Sequence, residues 1–149
     1  MKINAFADVS LRALMVLAAA PEADLLTTQS VADAVGTPYN HVSKAMAKLR
    51  MLGLIDVERG RNGGSRLSTA GRRVTVGQVL RHLDTREDPA DCIAPGGPCP
   101  LIRDCRLRGA LARAREAFYR ELDDVVVATL PASAQMTPVF QAIGMRPGL

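Results

Sequence analysis

In the first twenty residues the apolar positions Phe6, Val9, Ala13, Val16, Leu17 and Ala20 fall at helical spacing, with Asn4 placed to cap them and Pro21 to close the run. A second, shorter helix is predicted through Val31, Ala32 and Val35, capped by Thr27 or Thr28 and ended by Gly36. Thr37-Pro38 then opens a third, with the threonine as cap and the proline at the first helical position, where its missing N–H costs nothing. That helix runs to about Leu52 and stops at Gly53. Val42, Ala45, Met46, Leu49 and Leu52 share one of its faces, and Asn40, Ser43, Lys44 and Ala47 lie opposite. Helix, glycine turn, helix is the helix-turn-helix pattern, with a polar and basic second helix turned outward.

After Gly53 the period changes. Leu54-Ile55-Asp56-Val57-Glu58 alternates weakly, as a strand does, and Arg59-Gly60-Arg61-Asn62-Gly63-Gly64 is a basic turn from which 65–69 returns as a second strand. A hairpin directly after a helix-turn-helix is a wing. Thr75 caps a further helix on which Val76, Val79, Leu80 and Leu83 are apolar. Residues 84–104 read as a loop with four prolines, two glycines and two of the three cysteines, long enough to be functional or disordered. Helical spacing returns from about Arg103 to Leu130 through Leu107, Leu111, Ala114, Phe118, Leu122 and Val125. No second long helix exists in the chain to cover that stripe, so the same helix of a second subunit is the expected partner. From Pro131 onward three prolines and two glycines predict a flexible tail.

The elements therefore predict a mainly α fold. A winged helix-turn-helix DNA-binding domain is expected over residues 1–83, a cysteine-containing loop over 84–104, a long C-terminal dimerisation helix over 105–130 and the tail over 131–149. A length of 149 residues suits one such domain with a helical appendage. A hydrophobic content of 48% excludes a wholly disordered chain, and a mean hydropathy of +0.06 argues against an integral membrane protein. The apolar run from Ala13 to Ala20 is only eight residues long, Asp8 and Arg12 interrupt the approach to it, and it reads better as one face of a helix than as a signal peptide. A cytoplasmic protein without a membrane partner is expected.

The net charge of +4 is concentrated. Within residues 41–75 eight basic side chains stand against only Asp56 and Glu58, which implies a polyanion partner for the N-terminal half. A charged helix face is ordinarily just a solvated face; here the charge coincides with a recognition helix and a wing. Tyr39, Asn40, His41 and Ser43 stand at the N-terminal end of that helix, where base edges of double-stranded DNA are reached, with His41 nearer the flank. Lys44, Lys48, Arg59, Arg61 and Arg66 suit phosphate contacts, which set affinity without reading sequence. A dimer of such domains is expected to engage a palindromic operator.

Cys92, Cys99 and Cys105 are spaced C-x6-C-x5-C. Thiols kept reduced suggest metal binding or reactivity before disulfides. Zinc sites normally include cysteines two to four residues apart, and this spacing offers none. Wider spacing suits an iron–sulfur cluster, whose irons need thiolates at separated corners. Ordinary buried cysteines, a zinc site and a reversible thiol redox site stay open as alternatives. Three thiolates are one ligand short, and His82 lies ten residues before Cys92 on a predicted helix. A small metalloenzyme would need a general base beside the cysteines, and no motif supplies one. A purely structural adaptor that dimerises through residues 103–130 leaves the basic wing unexplained. No catalytic residues are expected.

The segment Pro38-Tyr39-Asn40-His41-Val42-Ser43-Lys44, the wing from Arg59 to Gly64 and three cysteines after a short helix together resemble the NsrR family of nitric-oxide-sensing repressors, whose relatives include the IscR cluster-biogenesis regulators. The resemblance covers residues 1–130. It implies a homodimeric repressor whose cysteines hold a 4Fe–4S cluster and whose operator affinity responds to nitric oxide. In one branch of that family an aspartate near the N-terminus of the partner subunit is the fourth ligand, and Asp8 matches it; by itself Asp8 is only an acidic residue in the first turns of a helix, favoured by the dipole. IscR-like members use a histidine shortly after the third cysteine. Here that region reads Arg106-Leu107-Arg108, which counts against the alternative 2Fe–2S form.

Overall fold

The computed structural model describes residues 3–84, 90, 92–94 and 97–149. Helix α1 (Ala5–Ala19) begins where the Asn4 side-chain oxygen accepts the Ala7 N–H at 2.7 Å. Helix α2 (Thr28–Val35) is capped by the Thr27 hydroxyl, which accepts the Ser30 N–H at 3.1 Å. It ends at Gly36, held at φ 63°, a conformation that a Cβ disfavours. Helix α3 (Tyr39–Met51) starts one residue later than the sequence suggests. Pro38 is extended, and the Thr37 hydroxyl donates back to the Val35 carbonyl at 3.4 Å instead of capping α3. These three helices enclose Leu14, Val31, Val42 and Leu49, all fully buried, each contributing roughly 1.5–3 kcal/mol of transfer free energy.

Strands β1 (Ile55–Glu58) and β2 (Gly64–Leu67) pair antiparallel, with Ile55 opposite Leu67 and Glu58 opposite Gly64. Leu26 and Ser65 exchange backbone hydrogen bonds of 3.0 and 2.8 Å, which anchor the wing to the segment entering α2. Helix α4 (Val76–Leu83) follows, with Thr75 and Gln78 forming a reciprocal capping box.

The long C-terminal helix is shorter than its apolar spacing implies. Helix α5 spans Arg106–Glu121 rather than 103–130. Beyond it the chain leaves the helix through a turn at residues 122–124 and reaches a short 3-10 turn at Val127–Thr129, for two reasons. Val125-Val126-Val127 is β-branched and a poor helix continuation. In addition, α4 needs acceptors for the orphan N–H groups of its first turn. The Leu122 carbonyl accepts the Gly77 N–H at 3.0 Å and the Val125 carbonyl the Val76 N–H at 2.8 Å, while Val127 N–H donates to the Val74 carbonyl at 3.0 Å.

This junction is so close that a Cβ on Gly77 would collide with Asp123 Oδ1 and the Tyr119 carbonyl oxygen. Gly77→Ala is therefore expected to lose about 1–3 kcal/mol despite the better helix propensity of alanine, as read by urea unfolding. An unchanged midpoint would mean that α4 and α5 can separate at no cost.

Two further differences concern loops. Residues 84–104, expected to lack structure, contain a short hairpin, β3 (Ile93–Ala94) with β4 (Gly97–Pro98), while 85–89, 91 and the Pro95-Gly96 step lie outside the described residues. The expected flexible tail holds helix α6 (Ser133–Ala142), which buries Met136 and Phe140. The Gly148 N–H reaches the Ala19 carbonyl at 2.7 Å, so the C-terminus returns to the end of α1. Among the described residues no helix is long and apolar enough to cross a membrane.

Candidate nucleic-acid interface and cysteine loop

Helix α3 turns Val42, Ala45, Met46 and Leu49 into the core, and that fixes what it offers outward. Tyr39, Asn40, His41 and Lys44 are exposed, while Ser43 and Lys48 are half-buried on its shoulders. His41 and Lys44 also edge a small cavity of about 240 Å3 with Ala5, Phe6 and Val9, so they face the start of α1 as well as solvent. In the wing, Arg59 and Arg61 are exposed at the turn between β1 and β2. Arg66 is engaged differently. Its guanidinium pairs with Glu58 at 2.7 Å, and a phosphate would have to displace that carboxylate.

The cysteines lie along the hairpin and the start of α5. The Cys99 N–H donates to the Cys92 carbonyl at 3.0 Å, which sets these two residues across from one another just outside the Ile93–Pro98 pair, at the open end of the hairpin. Asp104 adopts φ 55°, a left-handed turn that aspartate tolerates, and it delivers Cys105 to the N-cap of α5. There the Cys105 sulfur accepts the Arg108 N–H at 3.4 Å. All three cysteines are half-buried and none is in a disulfide. Among the described residues no three His, Cys, Asp or Glu side chains converge closely enough to hold a single metal ion.

Asp8 is not brought to the cysteines of its own chain. It sits on α1 in a double contact with Arg12, at 2.7 and 3.0 Å. Both edge an open cleft of about 550 Å3, otherwise lined chiefly by apolar side chains of α1, α2 and α6 such as Met15, Val35 and Val139.

Sequence reading missed a polar cluster between α4 and α5. Arg81 binds Asp123 through two hydrogen bonds of 2.5 and 2.8 Å and Glu116 through one of 2.9 Å, and its guanidinium lies 5.5 Å from the Tyr119 ring centroid. The Tyr119 hydroxyl donates to Asp84 Oδ2. No local signal could have revealed partners separated by 35 to 42 positions. Hydrogen bonding from Arg81 holds the Asp123 carboxyl below its ordinary value, and Arg81 is correspondingly raised. A depressed carboxyl stabilises the fold above the ordinary carboxylate range, and that contribution disappears as acid protonates Asp123.

On α5 the apolar stripe is only partly covered. Leu107 is 67% and Leu111 36% exposed, Phe118 is half-buried, and Leu122 and Val125 pack against the core.

Comparison with known proteins agrees with this architecture. The HTH-type transcriptional repressor NsrR of Streptomyces coelicolor is 44% identical over 148 residues, 99% of each chain. Two solved structures share the fold: IscR of T. potens (TM-score 0.66, 21% identity, 86% of this chain and 84% of that one) and CymR, the global cysteine regulator of B. subtilis (TM-score 0.67, 23% identity, 87% and 95%). The model of the Rrf2 family, described as iron-dependent transcriptional regulators, matches residues 3–133. This chain belongs to that family.

Proposed function

We propose that the protein is a homodimeric transcriptional repressor whose affinity for a palindromic DNA operator is set by a 4Fe–4S cluster that senses nitric oxide. The observation that carries the reading is the coexistence, in one chain, of an exposed basic recognition helix and wing with three half-buried thiols in one short segment. Their C-x6-C-x5-C spacing, without a close cysteine pair, suits the separated corners of a cluster better than one zinc. Homology to a protein named as the repressor NsrR supports the signal and the direction of control. A cytoplasmic location accords with both.

Cys92, Cys99 and Cys105 would hold the cluster, which when bound would supply iron sites open to a small reactive gas. The donor chemistry fits. The Arg108 N–H at the start of α5 donates to the Cys105 sulfur, which holds that donor atom in place at the helix terminus. The fourth position falls to Asp8 of the other subunit. Its pair with Arg12 is largely solvent-exposed and of the i,i+4 kind, worth only a few tenths of a kcal/mol, so the carboxylate is recruited at little cost. The cleft beside it leaves room for a partner's loop.

Asp8 lies on α1, and α1 packs directly on α3 through shared core residues. Asp8 would be one of the residues that hold the group, and its place on α1 would couple ligation there to the recognition helix through packed helices, as a shift of population between two arrangements of the reading heads. Residues 1–83 carry the DNA interface, through Tyr39, Asn40, His41, Ser43, Lys44, Lys48, Arg59, Arg61 and Arg66. Residues 84–104 are the cluster loop, and 105–130 dimerise through the exposed Leu107 and Leu111. Protein isolated without oxygen is expected to be brown, and Cys99→Ala colourless and unable to switch. Asp8→Ala should keep some cluster but lose tolerance to attack by nitric oxide. Unchanged absorbance, stability and switching in Asp8→Ala would remove it from the ligand set, and an absorbance spectrum of the 2Fe–2S type would replace the cluster assigned here.

A further inference from the structure

Both ends of the cysteine loop are fastened to one helix. Its last cysteine, Cys105, is the N-cap of α5, and its first residue, Asp84, accepts the hydroxyl of Tyr119 near the other end of that helix. Residues 105 and 119 stand about 21 Å apart along a helix rising 1.5 Å per residue. Tyr119 is a fixed point. It is 7% exposed, its ring lies under the Arg81 guanidinium, and Arg81 is clamped in turn by Asp123 and Glu116. The Leu83 carbonyl, one residue before Asp84, accepts the Asn4 side-chain amide at 3.2 Å, so the start of the loop is also tied to the N-terminus of α1.

We propose that Tyr119 and Asp84 are positioning residues for the thiol ligands: they pin the entry of the loop so that α5 sets the span over which Cys92 and Cys99 meet Cys105. The proposal rests on the reading of these cysteines as cluster ligands. Packing of α4 on α5 does not need the Tyr119 hydroxyl, because the Arg81–Asp123 contact and the backbone bonds at Val76 and Gly77 already join the two helices. What the hydroxyl adds is a charge-assisted hydrogen bond to the residue that leaves α4 for the loop.

The test uses full-length protein reconstituted anaerobically with ferrous iron and sulfide, followed by visible circular dichroism and by the rate of iron loss to a chelator. Tyr119→Phe and Asp84→Ala are expected to alter the dichroism and to speed iron loss about tenfold, the effect of one charged hydrogen bond. Asp84→Asn retains an acceptor oxygen and is expected to stay within about twofold of wild type. The thermal unfolding midpoint of the apo forms should fall by only a few degrees, the loss of one hydrogen bond, because the buried Tyr119 ring is retained. Tyr119→Phe with wild-type dichroism and iron loss would overturn the positioning role alone, and should that variant fail to fold, the Asp84 pair decides on the same readouts. Wild-type protein that takes up no iron and sulfide would overturn the cluster reading and this proposal together.

Discussion

Truncating Phe140 to alanine is expected to destabilise the folded protein by about 3–5 kcal/mol, the range for removing a fully buried aromatic ring. Phe140 is 0% exposed and heads the fully buried side chains by volume, although it lies in the stretch that composition marks as a tail. Helix α6 cannot owe its existence to local propensity. Pro138 lies in its interior, where a proline forfeits a backbone hydrogen bond at a cost of roughly 3 kcal/mol. Burial of Met136 and Phe140 must therefore hold it, together with the chain's return from Gly148 to Ala19. Urea unfolding followed by circular dichroism measures the loss. At this chain length the melting temperature should fall by roughly 10 °C. A midpoint equal to wild type would mean that the segment contributes nothing to the core. Because α6 borders the cleft that Asp8 edges, the same variant is also expected to loosen the wall beside the proposed ligand.

Raising salt from 50 to 200 mM is expected to weaken operator binding about ten-thousandfold. The estimate supposes that two subunits together neutralise about eight phosphates, for a log–log slope of about −7. Lys44, Lys48, Arg59 and Arg61 supply those charges most directly, since Arg66 is engaged by Glu58. Arg61→Ala removes one contact per subunit and should flatten the slope by about two units without changing sequence preference. Asn40→Ala should instead cost about 1–3 kcal/mol on the operator and little on unrelated duplex, the signature of a base contact. Fluorescence anisotropy at several salt concentrations separates the two. A slope near zero, or equal affinity for any duplex, would remove the repressor reading.

These two outcomes fall on opposite sides of what a linear sequence can express. The recognition helix and wing were legible because their signals are local: a glycine turn, a period of 3.6 that gives way to 2, and arginines clustered within a few residues of one another. The boundary of α5 was not, because its apolar stripe keeps helical spacing through Val125 after the backbone has left the helix to satisfy the N–H groups of α4. Arg66 illustrates the same limit within the candidate site. Its charge is plain in the sequence, but its neighbour across the hairpin decides how much of that charge is available to DNA.

Sequence alone determined the helix-turn-helix, the wing, the basic face and the presence of three thiols in one short segment, since each depends on residue type at short range. Tertiary structure decided where α5 stops, that the C-terminus joins the core, and that Arg81, Tyr119 and Asp84 lock the start of the cysteine loop. Those features depend on contacts between residues 35 or more positions apart, and chain folding selects such contacts by burial and hydrogen-bond satisfaction that no local pattern encodes.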